Sequence, residues 1–324
     1  MQLRPYVQEC GRWLKQLLQE KPRAATTARC CFSITGNEIT FLYLNKLLNS
    51  IELFAYDTFQ FETLNSLSLI LAGLSKKYNL ANVPAYLLLD PEHYQLFLIE
   101  SLPVKADEFK EALNWRLKSL LTYPMKEATI DYFTLPISKS APDTQMIAAV
   151  AAKTKLIESY ADALEKAQLH LTVIDIPELA LRNLTGLYEQ DEKSTAIIYF
   201  NEKIAILNIT RSQSLYFTRK INLYHEDEAT KKSHEELGLD IMRSFDYFQI
   251  QWRYPSPSRI FVAAKHSDSK STAEALAASM LQPVEPFTLQ AVQLSEEKLK
   301  LLEEKYLLAF GCALRETDEF TSTS

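Results

Sequence analysis

The sequence predicts a mixed α/β protein made of two halves with one shared order of elements, the first half carrying an inserted α+β subdomain. Three observations lead there. Short apolar runs bounded by turn residues alternate with segments whose apolar residues recur at three- and four-residue steps, the patterns of strands and of amphipathic helices. After a polar break at residues 189–194 (EQDEKS) the same order of elements starts again. The length of 324 residues fits about two domains at roughly 100–200 residues each, and 47% apolar with 23% charged residues is the balance of a globular chain with an ordinary core.

Residues 1–27 read as an N-terminal amphipathic helix and linker. Tyr6, Val7, Cys10, Trp13, Leu14, Leu17 and Leu18 make one apolar stripe, and Lys21-Pro22 ends it. Arg4, Arg12, Lys15, Lys21 and Arg23 flank that stripe, so the helix has two possible resting places, the body of the protein or a membrane surface. The first lobe is expected over 28–90 and 153–188. It opens with strands at 29–35, 38–44 and 51–57, with Gly36-Asn37 as a two-residue turn of positive φ. A helix at about 61–77 follows, with Leu64, Leu67, Ile70, Leu71 and Leu74 on one face, and then a buried strand at 84–90. The lobe resumes with a helix at 154–168 capped by Thr154, a strand at 171–176, and a helix starting at Pro177, since proline suits the first turn.

The inserted subdomain is expected over 91–152. It holds strands near 94–99, 129–135 and 145–151, and a helix near 107–121 capped by Asp107 and closed by Pro124. Phe109, Leu113, Leu117, Leu120 and Leu121 supply that helix's apolar stripe. The second lobe spans 189–316, with strands at 195–200, 203–209 and 214–221, a helix at 234–252, a strand at 258–264, a helix at 269–280, a strand at 282–287 and a helix at 295–315. Asn201-Glu202 is its first turn, and 317–324 is a flexible tail. Each lobe thus reads β-β-β-α-β-α-β-α, a mixed sheet with helices on its faces. Two such halves side by side resemble the duplicated, ribonuclease-H-like architecture of actin-like proteins.

Composition excludes several function classes. Net charge is −6 and no basic stripe occurs, so nucleic acid is not an expected partner. No run of 18 uncharged apolar residues occurs and the first residues lack a signal-peptide core, which points to the cytoplasm. Cys10, Cys30, Cys31 and Cys312 form no CxxC and read as reduced, buried thiols. The six glycines are scattered, the closest two being Gly11 and Gly36, 25 positions apart. Phosphate-cradling loops need clustered glycines so that backbone N–H groups can approach the anion. No such loop, and no GxSxG elbow, is present.

The remaining polar constellations are weak. His225 and His234 flank Glu226, Asp227 and Glu228, but the spacing fits no helix-face metal pair and a solvated loop is the simpler reading. His93, His170 and His266 stand alone. Asp131 and Asp175 follow apolar strand residues and read as turn and cap residues. No catalytic, cofactor-binding or metal-binding residue is therefore expected, and the chain reads as no enzyme. Trp115 and Tyr123 bracket the inserted helix. Both residue types are enriched in interfaces, which sets a partner-facing aromatic wall against plain core packing.

Several segments carry a family resemblance. In 100–135, Leu102-Pro103, the helix around Trp115, Tyr123-Pro124, Glu127 and Asp131-Tyr132 fall in order. They are followed by 171–183 (LTVIDIPELALRN), 215–221 (LYFTRKI), 239–248 (LDIMRSFDYF) and 309–315 (AFGCALR). Together they resemble the PilM/MshI family of type IV (MSHA-type) pilus assembly actin-like proteins, with MshI the nearer pattern. The resemblance implies a cytoplasmic scaffold, peripheral at the inner membrane, that binds the cytoplasmic N-terminus of a PilN-like single-pass partner. In the family the peptide lies in a groove between the first subdomain and the insertion. Trp115, Lys118, Leu121 and Tyr123 are the expected contacts here. Strand addition at a subdomain edge is an available mode.

The chain departs from the family's nucleotide signatures. Its first hairpin reads SITGNE (Ser33 to Glu38) with no Asp before Gly36, and its second reads YFNEK (Tyr199 to Lys203) with no Gly. Asn222-Leu223 and Phe261 to His266 stand where relatives carry glycine pairs. The expectation is a scaffold without a nucleotide cofactor. The alternative is an actin-like ATP-binding protein or ATPase of the pilus or secretion machinery.

Overall fold

The computed structural model describes residues 28–46, 50–139, 141, 144–188, 192–225, 230–265, 268–280, 282–289 and 292–316. The expected N-terminal helix and C-terminal tail, together with Glu226, Asp227, Glu228 and His266, lie outside these residues.

Two five-stranded sheets share one topology. In the first, β1 (Ala28–Thr35), β2 (Glu38–Lys46) and β3 (Ile51–Gln60) form an antiparallel meander, with β4 (Pro84–Leu88) and β8 (His170–Asp175) parallel to β1, in the order β3-β2-β1-β4-β8. In the second, β9 (Thr195–Phe200), β10 (Ile204–Arg211) and β11 (Ser214–Asn222) form the meander, with β12 (Arg259–Ala264) and β13 (Val284–Pro286) parallel to β9, in the order β11-β10-β9-β12-β13. The helices are α1 (Leu64–Tyr78), α2 (Ala106–Leu117), α3 (Thr154–Lys166), α4 (Pro177–Thr185), α5 (His234–Trp252), α6 (Ser269–Ala277) and α7 (Glu296–Leu301). A π-helical turn, Leu302–Tyr306, joins α7 to α8 (Leu307–Ala313).

β1 shows why its sequence is an unbroken apolar run. Cys30, Phe32 and Ile34 point to one core with Leu67, Leu71 and Leu74 of α1 and Ile157 and Leu164 of α3. Cys31 points to the opposite core, with Leu42, Tyr86 and Leu88. A strand covered on both faces has no polar side to write into its sequence. The second core also holds Ile197, Ile206 and Phe261 of the second lobe, with α4 and α8 contributing Leu181, Leu184 and Phe310. One hydrophobic layer therefore joins the lobes.

Capping explains two helix starts. Thr63 and Ser66 form a capping box on α1, as do Ser233 and Glu236 on α5. Other expected ends differ. α1 begins at Leu64 and leaves that side chain exposed. Lys105, not Asp107, holds the cap position of α2, and Lys153, not Thr154, that of α3. α2 stops at Leu117, so Leu120 leaves the apolar stripe and is exposed. At the first hairpin only Gly36 takes positive φ, +54°, and Asn37 does not.

The insertion is a three-stranded antiparallel sheet, β5 (Tyr94–Glu100), β7 (Met146–Lys153) and β6 (Ala128–Thr134), with β7 central. Ile99, Ile147 and Ala149 pack under Leu113 and Leu117 of α2. Its other side reaches the second lobe, where Leu135 and Ala148 join the core of Leu207, Phe217, Phe245 and Trp252. Ser138 Oγ donates to the Gln251 carbonyl, and Lys139 Nζ sits 4.2 Å from the Tyr254 ring centroid. The insertion thus spans both lobes.

Candidate functional site: the interlobe cleft and the inserted sheet

In open α/β sheets the carboxyl ends of parallel strands are the usual ligand side. Here the ends of β1, β4, β9 and β12, with the β1–β2 and β9–β10 hairpins, face one cleft between the lobes. A depression of about 240 Å³ lined by Ala81, Ala161, Glu165, Gln168 and His170 lies at the opposite, amino-terminal ends of β4 and β8.

The cleft's backbone donors are engaged by the chain itself. The Gly36 N–H donates to Asp90 Oδ2 at 2.8 Å, and Asp90 Oδ1 accepts from the Glu92 N–H at 2.8 Å. Asp90 is buried. A carboxylate therefore stands where an anion would need that N–H. In the second hairpin Asn201 Oδ1 accepts from the N–H groups of Lys203 and Ile204 at 2.9 and 2.7 Å, closing the turn on its own side chain.

Lysines from the second lobe reach across to the first lobe and to the start of the insertion. Lys265 Nζ lies 2.9 Å from Glu38 Oε1, both largely shielded. Lys203 Nζ lies 2.7 Å from Glu92 Oε1 in an exposed pair. Lys220 Nζ donates to the Pro91 carbonyl at 2.8 Å and sits 3.6 Å from the Tyr94 ring centroid. Below it, the Tyr94 hydroxyl donates to Glu178 Oε2. Glu178 Oε1 is 4.0 Å from Lys220 Nζ, an ionic contact too long for a hydrogen bond. Burial raises the Glu178 pKa and lowers that of Lys220, each opposed by the other's charge. The arrangement holds the lobes together.

The expected partner residues divide into two groups. Trp115 is 79% exposed on the outer face of α2, and Lys118, next to it at three residues' spacing, is exposed just past the helix end. Leu121 and Tyr123 are half-buried in the connection to β6. The Tyr123 ring lies 5.7 Å from Lys153 Nζ, its hydroxyl is buried without a partner, and burial raises its pKa. The strand expected near 129–135 is the edge strand β6, where exposed Tyr132, not named as a contact from sequence, packs on Phe109 with centroids 4.8 Å apart.

The other singled-out groups have structural surroundings. Asp131 lies within β6 rather than at a turn, accepting from the Tyr132 N–H. Asp175 does receive the Ile176 N–H, but it is also ion-paired with Arg315 at 2.8 Å. His225 Nε2 lies 3.4 Å from Glu236 Oε1, and His93 Nδ1 3.5 Å from the Tyr160 hydroxyl. Cys30, Cys31 and Cys312 are buried and unbridged, while Cys10 is outside the described residues.

The family model described as type IV pilus assembly protein PilM matches residues 99–241, from the end of β5 into α5. This segment is PilM-like in sequence. The similarity in fold extends further. A solved PilM–PilN type IV pilus biogenesis complex aligns at 18% identity and TM-score 0.70, covering 89% of this chain and 98% of that one. A Bacteroides thetaiotaomicron protein with an actin-like ATPase fold and unknown function aligns at 9% identity and TM-score 0.52, covering 90% and 97%. No curated protein sequence matches this chain. The two-lobed actin-like fold is thus established, with the PilM-like segment running from the end of β5 through α2, β6 and β7 into α5. Among the described residues no helix is long and apolar enough to cross a membrane.

Proposed function

We propose that this chain is a non-enzymatic cytoplasmic scaffold of a type IV pilus assembly platform at the inner membrane, where it binds the cytoplasmic N-terminus of a PilN-like partner. The observation that carries the proposal is the PilM match over 99–241, the stretch that includes β6 and β7 of the inserted sheet and α2 with its exposed Trp115. Its non-enzymatic part is supported by the cleft. Asp90 holds the Gly36 N–H and Asn201 closes the second hairpin, so an incoming phosphate would face a buried carboxylate instead of free donors. The order and content of the sequence motifs further support an MshI-type member of an MSHA-like system.

Partner contact is assigned to Trp115 and Lys118 on the surface, with Leu121 and Tyr123 lining the connection behind them. The test is titration of the partner's N-terminal peptide into the wild-type chain and Trp115→Ala. A loss of tenfold or more in affinity, about 1.4 kcal/mol, is the expected hot-spot effect. Equal affinities would remove Trp115 from the interface. An absence of binding to the wild type would remove the partner assignment itself.

A further inference from the structure

α5 is amphipathic with an unusual outer face. Leu237, Ile241, Phe245, Phe248 and Trp252 are buried in the second lobe. Directly opposite, Leu239 is 55% and Ile250 74% exposed. Around these two apolar residues the charges follow a pattern. Glu236 stands half-buried in the first turn, where it also accepts from the Ser233 N–H and faces His225, while Arg243 and Asp246 in the middle of α5 and Arg253 just past its end are exposed.

The pattern is self-complementary when the helix is laid antiparallel on itself. A two-fold axis crossing α5 between Ser244 and Phe245 sets Leu239 opposite Ile250 of the second copy. The same operation sets Arg243 opposite Asp246 and Glu236 opposite Arg253, each pair occurring twice. A two-fold interface requires this property of one surface patch, that it match itself. Arg243 already lies 3.5 Å from Asp240 in its own copy, at 71% side-chain exposure, and can share its guanidinium with a second carboxylate. Nineteen residues of helix extend about 28 Å at 1.5 Å per residue, so the contact is small and the association weak.

The geometry points to the outer face of α5 as a homodimer contact, an antiparallel helix pair whose occupant is a second copy of this chain. It lies on the second lobe and is independent of the partner site assigned to the insertion.

Sedimentation equilibrium of the full chain across the micromolar range tests it. Monomer and dimer are expected to exchange with concentration. Ile250→Glu, Arg243→Glu and Asp246→Lys should each weaken dimerisation more than about tenfold, because each change acts twice across the axis. The double variant Arg243→Glu/Asp246→Lys should regain most of the lost affinity, with circular dichroism confirming that every variant is folded. A chain that stays monomeric overturns the inference. So does a dimer indifferent to these changes, a double variant without rescue, or an Ile250→Glu chain that loses a PilN-like peptide instead of its own copy.

Discussion

Arg315 Nη1 lies 2.8 Å from Asp175 Oδ2 inside the protein, joining the end of α8 to the end of β8. The Arg315 carbonyl in turn accepts from Arg29 Nη1 on β1. Two sequence segments that carry the family resemblance, LTVIDIPELALRN and AFGCALR, therefore meet as one structural unit. Removing either charge takes from the other its buried ionic partner. Asp175→Ala or Arg315→Ala is expected to lower stability by about 3–5 kcal/mol. The double variant should lose markedly less than the sum, measured by urea denaturation as a double-mutant cycle.

The same two segments predict a contrast between glycines. A Cβ on Gly311 would sit 2.4 Å from the Ala180 carbonyl oxygen, where α8 lies against α4. Backbone cannot move aside cheaply, so Gly311→Ala should destabilise by about 1–3 kcal/mol. Gly73 on α1 meets nothing within 4 Å. Gly73→Ala should stabilise by roughly 0.5–1 kcal/mol through helix propensity. Thermal denaturation of the pair checks both signs.

Much of the fold was legible because it is written locally. β9 and α5 have the bounds read from sequence, 195–200 and 234–252. The apolar run of β9 after a polar break is complete within a few residues, and the capping box that the structure shows at Ser233 and Glu236 is equally local. The α2 end was misread because Leu120 continues the helical spacing after the helix has stopped. The cleft was only half legible. Missing glycines are visible in sequence. The carboxylate of Asp90 on Gly36, and Lys265 on Glu38, are contacts between distant segments that no local pattern encodes. The Asp175–Arg315 pair was hidden for the same reason.

Glu178 gives the protein a pH signature. Burial holds its folded pKa above the ordinary value. The folded state therefore binds the proton more readily than the unfolded chain, and this group's contribution to stability is fully present below the unfolded pKa and lost as pH rises through the folded pKa. Relative to Glu178→Gln, the wild type should gain stability as pH falls from neutral towards about 4.5. Urea midpoints of both proteins over that range read the difference. Parallel curves would place the titration elsewhere.

Trp115 separates binding from stability. Its side chain is largely in solvent, so Trp115→Ala should shift unfolding free energy by no more than about 0.5 kcal/mol. A large loss of stability would mean that the indole is covered by part of this chain.

Calorimetric titration of Mg-ATP, followed by the partner's N-terminal peptide, into the same purified chain tests the central claim most directly. The expected result is heat of binding with the peptide and none with Mg-ATP, because the N–H groups of Gly36, Lys203 and Ile204 are already taken by Asp90 and Asn201. Saturable micromolar binding of Mg-ATP would contradict it and make the cleft between the β1–β2 and β9–β10 hairpins a working nucleotide site.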